Sequence, residues 1–175
     1  ENINSRNSWR ILPLMNPDGV VKNTRTNSNG VDLNRNFPTN DWNKLAHAFW
    51  KKKVKSNPRR FPGPSAGSEP ETQCAIHHIK EFTPDFIISL HTPYGILDFD
   101  GPRLKLPDFA HLRWYNLGTF PGSLGRFMWK DRKIPVLTVE LKTNDKILTT
   151  PEKMNSLQDL TGKAAMLMRK YLEKH

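Results

Sequence analysis

The chain has little sulfur chemistry to offer. It is 175 residues long with a single cysteine, Cys74, which excludes an internal disulfide and a thiolate-cluster zinc site within one chain. One cysteine is compatible with either redox compartment. It also lacks long apolar runs. None approaches the roughly 18 residues that a membrane helix requires, and the polar start ENINSRNSWR does not resemble a signal peptide. No membrane-spanning or membrane-anchored segment is therefore expected. Internal repeats, low-complexity tracts and composition shifts that would mark a domain boundary are absent too, so residues 1–175 read as one domain.

What the chain does have is enough apolar content to fold, 36% hydrophobic and 10% aromatic residues, at a length that supports a real core. It is short of acid. The net charge is +10, and residues 1–60 hold 12 of the 27 Lys/Arg but 4 of the 17 Asp/Glu, so most of the excess is local. The excess peaks in KKKVKSNPRRFPGP (Lys51 to Pro64), whose clustered Pro and Gly predict an irregular, solvated loop. The same loop could make the chain a nucleic-acid or acidic-polymer binding module. Like charges in runs usually stay in water, so a nucleic-acid partner is not expected.

Apolar patterning predicts alternating strands and helices. WRILPLMN (Trp9 to Asn16) reads as a buried strand stopped by the turn Asn-Pro-Asp-Gly. SEPETQCAIHHIKEF has Ser68 followed three residues later by Glu71, the pattern of a capping box. Pro70 lies in its first turn, and Ala75, Ile76 and Ile79 recur at helical spacing. DFIISLH (Asp85 to His91) is an apolar run that fits a buried central strand, and IPVLTVEL (Ile134 to Leu141) has the same character. A closing amphipathic helix follows Pro151, with Leu157, Leu160, Ala164, Leu167, Met168, Tyr171 and Leu172 on one face. The expected fold class is α/β, with a mostly parallel or mixed central sheet flanked by helices.

In open α/β sheets, sites gather at the carboxyl ends of strands. Two strands end in titratable groups here, His91 and Glu140. A histidine in such a place is often a structural, hydrogen-bonded residue. A carboxylate between Val139 and Leu141 costs several kcal/mol unless it is paired or shifted in pKa. A buried salt bridge or a catalytic base would both explain Glu140. GVDLNRNFP (Gly30 to Pro38) alternates polar and apolar residues as a half-buried extended segment would, with a guanidinium and two amides held in an apolar frame.

Seven motifs in order carry a resemblance: NPDG (Asn16 to Gly19), Arg25, GVDLNRNFP, GSEPET (Gly67 to Thr72), SLH (Ser89 to His91), PGSLG (Pro121 to Gly125) and TVEL (Thr138 to Leu141). Together they resemble the zinc metallocarboxypeptidases, and the likeness is strongest to the bacterial murein peptide amidase branch. The resemblance covers nearly the whole chain. It implies a zinc carboxypeptidase-like fold and a zinc-dependent peptidase or amidase that cleaves next to a free carboxylate, in murein peptides of γ-D-glutamyl-diaminopimelate character. The implied setting is a bacterial cytoplasm or periplasm. His91 is implied as a zinc ligand and Glu140 as the general base toward the zinc-polarised water. Arg25 would stabilise the oxyanion. Asn34 and Arg35 would grip the terminal carboxylate of the peptide substrate through the planar guanidinium fork, with Asp32 and Asn36 as braces. Leu124 would line the specificity pocket, and its apolar side chain argues against a long charged group at the pocket floor.

The chain departs from the family pattern at two points. LGTFPGS lacks the tyrosine that precedes the Gly-Ser turn in digestive carboxypeptidases, with Tyr115 the nearest substitute. The family's first two zinc ligands come from a His-x-x-Glu motif well before the NPDG turn, whereas 15 residues precede Asn16 here and none is histidine. The chain is therefore expected to be the C-terminal part of a carboxypeptidase-like catalytic domain. Its remaining ligands would come from an upstream segment or a second chain, and it would show little activity alone. The one His-x-x-Glu present, His78 to Glu81, falls on a helix in the wrong place in the order and is expected to be a solvated pair. Two alternatives remain: a zinc deacylase of the aspartoacylase or desuccinylase type, which shares an Asp-Leu-Asn-Arg segment, and a non-catalytic carboxylate- or polyanion-binding module.

Overall fold

The structure, a computed structural model, describes residues 7–104, 112–142 and 151–173. They form two compact units, residues 1–83 and 84–175. The class is mixed α/β, as expected, with the described strands all in the second unit. No described helix is long and apolar enough to cross a membrane.

The first unit carries three helices, α1 (Pro17–Lys22), α2 (Trp42–Lys52) and α3 (Pro70–Phe82), with short 3-10 turns at Leu33–Arg35 and Pro58–Arg60. The strand expected over Trp9 to Asn16 is not formed. Trp9, Ile11 and Leu14 are 51%, 78% and 54% exposed, and no described residue of this unit is in a strand that could pair with them. An apolar run without a ladder partner gains nothing from extension. The NPDG sequence does more than turn the chain. Asn16 caps α1, its Oδ1 accepting from Gly19 N at 2.9 Å, and Pro17 takes the first helical position.

The basic stretch is more ordered than its composition suggests. Its first two lysines finish α2, and Pro58–Arg60 forms a 3-10 turn capped by Asn57, whose Oδ1 accepts from Arg59 N at 2.9 Å. Cations suit a helix C-terminus, where carbonyls point outward. On α3 the expected start and proline hold, but the capping box does not. Glu69 occupies the cap position, and the Ser68 hydroxyl donates to Glu69 Oε1 at 2.6 Å instead of capping the helix.

The second unit is built on a four-stranded sheet of β1 (Ile87–His91), β2 (Ile96–Asp100), β3 (Arg113–Trp114) and β4 (Val136–Glu140), in the order β1-β4-β2-β3. β1 runs parallel to β4, β2 antiparallel to β4, and β3 parallel to β2. Among the described strands β1 is thus an edge strand and not central, and Leu90 is 52% exposed. The long helix α4 (Pro151–Leu172) supplies Leu160, Ala164 and Met168, all buried. Leu160 and Ala164 join a core with Leu97, Leu112, Leu137, Val139 and Leu141, against which Phe86, Ile88, Phe99 and Trp114 pack. Burying side chains of this size stabilises by about 1.5–3 kcal/mol each. Leu157 and Leu167, also expected on this face, have side chains outside the described residues.

Side chains alternate across a sheet, so the register sorts its two faces. Ile88, Leu90, Leu97, Phe99, Leu137 and Val139 alternate with Ser89, His91, Asp98, Asp100, Thr138 and Glu140. One face is therefore apolar and packs the core, while the other gathers the polar side chains together with Ile87, Ile96 and Val136.

Candidate functional site

In the second unit, His91 and Glu140 are the last residues of β1 and β4 and are register partners. Adjacent strands lie about 4.8 Å apart, so an imidazole and a carboxylate stand side by side at the carboxyl end of a parallel pair. Glu140 is 8% exposed and His91 is half-buried. The backbone bond Leu141 N to His91 O, 2.7 Å, extends the pairing past the strand ends. Ser89, on the same face as His91, places its Oγ 2.8 Å from His91 Nε2. Such a bond fixes a ring's orientation.

The polar face continues onto β2, which the apolar and polar alternation of ILDFD (Ile96 to Asp100) would have revealed as a strand. Asp98 is 5% exposed, and burial raises its pKa although its Oδ1 accepts from Leu117 N at 3.3 Å. Burial, with the nearby Asp98 charge second, pushes Asp100 up to about 6. The turn PGSLG lies against Asp100. A Cβ on Gly125 would collide with the Asp100 carboxylate, so a larger residue there would need the Asp100 side chain to move. Ser123 Oγ accepts from Arg126 N at 3.2 Å and opens the π-helical turn Arg126–Lys130, while Leu124 beside it is half-buried. Leu124 is thus the residue before the glycine that lies against the Asp100 carboxylate.

In the first unit, Arg25 Nε donates to Asp32 Oδ2 at 2.8 Å, with Asp32 2% exposed. Arg25 is aimed by α1: Asn16 Nδ2 donates to Arg25 O at 3.2 Å, and a Cβ on Gly19 would strike the Asn16 amide. GVDLNRNFP is not extended as its alternation predicts. Leu33–Arg35 winds into a 3-10 turn, with Arg35 N bonding Asp32 O at 2.8 Å and Asn36 N bonding Leu33 O at 3.1 Å. Val31 and Phe37 still reach the core. Five residues of alternation do not distinguish a strand from a tight turn whose first and last apolar groups point inward. Asn34 is half-buried and Arg35 is 8% exposed. Burial pulls the Arg35 guanidinium down to about 10, with the nearby charge of Asp32 opposing the shift and those of Arg25 and Arg60 adding to it.

The braces are as expected. Asn36, 0% exposed, donates from Nδ2 toward Pro62 O, Ser65 O and Ser68 Oγ at 2.8, 3.0 and 3.1 Å, and its Oδ1 accepts from Glu69 N at 3.2 Å. Behind it lies a network not foreseen from the sequence. The Asn27 and Asn29 side-chain amides donate to Glu69 Oε2 at 2.7 and 2.8 Å, and Asn27 Oδ1 accepts from Val31 N at 3.1 Å. Burial works against the Glu69 charge, but bonds from Ser68, Asn27 and Asn29 prevail and hold its pKa below the ordinary value. The acid of GSEPET therefore anchors the GVDLNRNFP segment. Asn-Ser-Asn-Gly followed 40 residues later by a glutamate at a helix cap carries no local signal of that pairing.

His78 and Glu81 lie on α3 with His78 Nδ1 3.9 Å from Glu81 Oε2, and the same oxygen takes Arg10 at 2.9 Å. A guanidinium on that carboxylate occupies the position a metal would need. Tyr115 is 62% exposed. Among the described residues no group of three His, Cys, Asp or Glu could hold a metal ion. His91 alone would not make a catalytic zinc site, which uses three protein ligands.

The family model for zinc carboxypeptidases (peptidase M14) matches residues 1–97, a span that includes Arg25, Asn34, Arg35 and His91. The chain is similar to murein peptide amidase A of Vibrio campbellii, 31% identical over 148 residues, covering 75% of this chain and 55% of that protein. It is also similar to murein peptide amidase A of Escherichia coli K12, 36% identical over 90 residues, covering 50% of this chain and 37% of that protein. The crystal structure of murein-tripeptide amidase MpaA from Escherichia coli O157 is similar with a TM-score of 0.55 and 26% identity, covering 88% of this chain and 65% of that one. The chain spans about half the length of the Vibrio relative. With the family model matching more than half of its length, the chain belongs to the zinc carboxypeptidase family.

Proposed function

We propose that the chain is part of the catalytic domain of a zinc-dependent metallocarboxypeptidase or amidase, one that hydrolyses a peptide bond next to a free carboxylate in murein peptides. The observation that carries this reading is the register pairing of His91 with Glu140 at the carboxyl ends of β1 and β4, in a chain of the zinc carboxypeptidase family. Relatives named murein peptide amidase support the substrate class.

Each residue has a role in this reading. Glu140 takes a proton from the attacking water and passes it to the leaving amine, a task suited to a mostly buried carboxylate. His91 is one zinc ligand. With Nε2–H donating to Ser89 Oγ, its lone pair would be on Nδ1. The further protein ligands a catalytic zinc site needs would come from outside the described residues. Asn34 and Arg35 grip the substrate carboxylate, Arg25 stabilises developing negative charge on the carbonyl oxygen, and Leu124 lines the pocket for the terminal side chain. Desolvation makes the Arg35 clamp strong, because a charge-assisted bidentate pair is not weakened by competing water.

The test is hydrolysis of a γ-D-glutamyl-diaminopimelate peptide by the protein with its full zinc ligand set. Removal of zinc by a chelator should abolish turnover and zinc should restore it. A simple aspartyl or succinyl amide hydrolysed faster than the murein peptide would favour a deacylase and overturn the substrate assignment.

A further inference from the structure

The Leu33–Arg35 turn is too short to hold itself. It is closed by the backbone bonds Arg35 N to Asp32 O at 2.8 Å and Asn36 N to Leu33 O at 3.1 Å, and a lone turn of that size is unstable in water. Outside groups fix it at both ends. Asp32 N donates to Phe61 O at 2.8 Å, and the Trp42 indole Nε1 donates to Arg35 O at 2.9 Å. Trp42 opens α2, is 4% exposed, and is itself tied down by its backbone N, which donates to Thr39 O at 2.9 Å. Both pins rest on one ring: His47 of α2 meets Trp42 edge-on with centroids 5.4 Å apart, and Phe61 at 6.0 Å.

The indole bond acts on the peptide that aims the Arg35 side chain. Between Arg35 and Asn36 the peptide is held on its N–H by Leu33 O and on its carbonyl by Trp42 Nε1. Because Arg35 N is bonded to Asp32 O, both planar peptides flanking the Arg35 Cα are tied, which fixes the direction in which Cβ leaves the backbone. A guanidinium that meets a carboxylate through two parallel bonds depends on that direction, and a misplacement of about 1 Å caused from a distance can cost on the order of 10²-fold in rate. Trp50 supplies a contrast within the same aromatic group. Its ring lies 5.1 Å from Phe61 and 6.3 Å from His47, but its Nε1 donates to Asn57 O at 2.8 Å, outside the Leu33–Arg35 turn.

We infer that Trp42 is a positioning residue for substrate binding: its indole N–H, acting through the Arg35 carbonyl, holds Asn34 and Arg35 in the orientation that grips the carboxylate. This rests on the reading of Asn34 and Arg35 as that grip. Burial alone would make Trp42 one more core aromatic, whereas the N–H on the turn gives it a share in affinity without contact to substrate.

The test compares two substrates in the protein with its full zinc ligand set: the γ-D-glutamyl-diaminopimelate peptide, and the same peptide with the carboxylate next to the scissile bond converted to a carboxamide. Wild type should favour the acid. Trp42→Phe keeps a ring at the site without the donor, and benzothienylalanine in place of Trp42 keeps the shape as well. In both variants KM for the acid should rise by about 3- to 10-fold, the scale of one hydrogen bond, with kcat held. Their kcat/KM for the carboxamide should stay at the wild-type value. Trp50→Phe, which loses the bond to Asn57 O instead, should keep the wild-type preference. An acid preference that survives in both Trp42 variants, or that falls equally in Trp50→Phe, overturns the proposal. So does an equal fall on both substrates in both Trp42 variants, which would make Trp42 a packing residue alone. Each of these outcomes leaves the grip reading intact. Wild type that hydrolyses the carboxamide as well as the acid overturns the grip and this inference with it.

Discussion

His91 and Glu140 end adjacent parallel strands in register, with the Ser89 hydroxyl 2.8 Å from the His91 ring. The pairing puts an imidazole and a mostly buried carboxylate within one strand spacing of each other. It follows from two apolar runs that each stop at a polar residue.

The Ser89 contact should set how well His91 holds zinc. Ser89→Ala is expected to weaken zinc binding by about 10- to 100-fold, the usual effect of losing a ligand's hydrogen-bond partner, and to alter the imidazole tautomer seen by nitrogen NMR. An unchanged zinc affinity would reduce Ser89 to a packing residue.

Asp100 should make the second unit less stable as pH rises. Its pKa in the fold is raised to about 6, by burial first and the Asp98 charge second. The folded state therefore holds a proton that the unfolded state has released, and stability present below about pH 4 is lost as pH rises through 6. Discounted for partial solvent access, the loss is on the order of 1 kcal/mol. Asp100→Asn should be more stable than wild type at pH 7 and should flatten the profile between pH 4 and 7 in chemical denaturation.

Asn36 is the brace that holds the Leu33–Arg35 turn to Pro62, Ser65 and Glu69. Asn36→Ala leaves Pro62 O, Ser65 O and Glu69 N without their side-chain partner, at a cost of about 2–4 kcal/mol from the buried polar groups left unpaired. Denaturant unfolding measures the loss directly. Carboxylate binding should weaken in the same variant, because the turn that presents Asn34 and Arg35 is no longer pinned.

What was legible in the sequence divides along physical lines. Long apolar runs that end abruptly revealed β1, β4 and the two polar residues at their ends; β4 is buried along its length, whereas β1 lies at the edge of the described sheet and only its run, not its burial, was read correctly. Helices α3 and α4 were legible from spacing. Trp9 to Asn16 misled because apolar content alone does not create a ladder partner. The 3-10 turn in GVDLNRNFP was hidden by its short alternation. Asn27, Asn29 and Glu69 meet across some 40 residues, and Phe61 O and Pro62 O take bonds from Asp32 and Asn36. Contacts of that separation leave no periodic trace in the chain.

The basic stretch also tests the binding-module alternative. Lys51, Lys52, Lys53, Lys55 and Arg59 are exposed. If polyanion binding were the function, affinity for a duplex or acidic polymer would fall steeply between 50 and 200 mM salt, by about 10³ or more for six or more phosphate contacts. The expected result is weak, nonspecific binding already lost at moderate salt, with binding of the γ-D-glutamyl-diaminopimelate peptide retained there.

The most direct measurement is turnover of a γ-D-glutamyl-diaminopimelate peptide by wild type and Glu140→Gln, each with the full zinc ligand set and with bound zinc quantified. The account predicts that the variant keeps its zinc and its fold while kcat falls by about 10²–10⁴, the range for loss of a general base. Full activity in Glu140→Gln, with zinc bound, would contradict it.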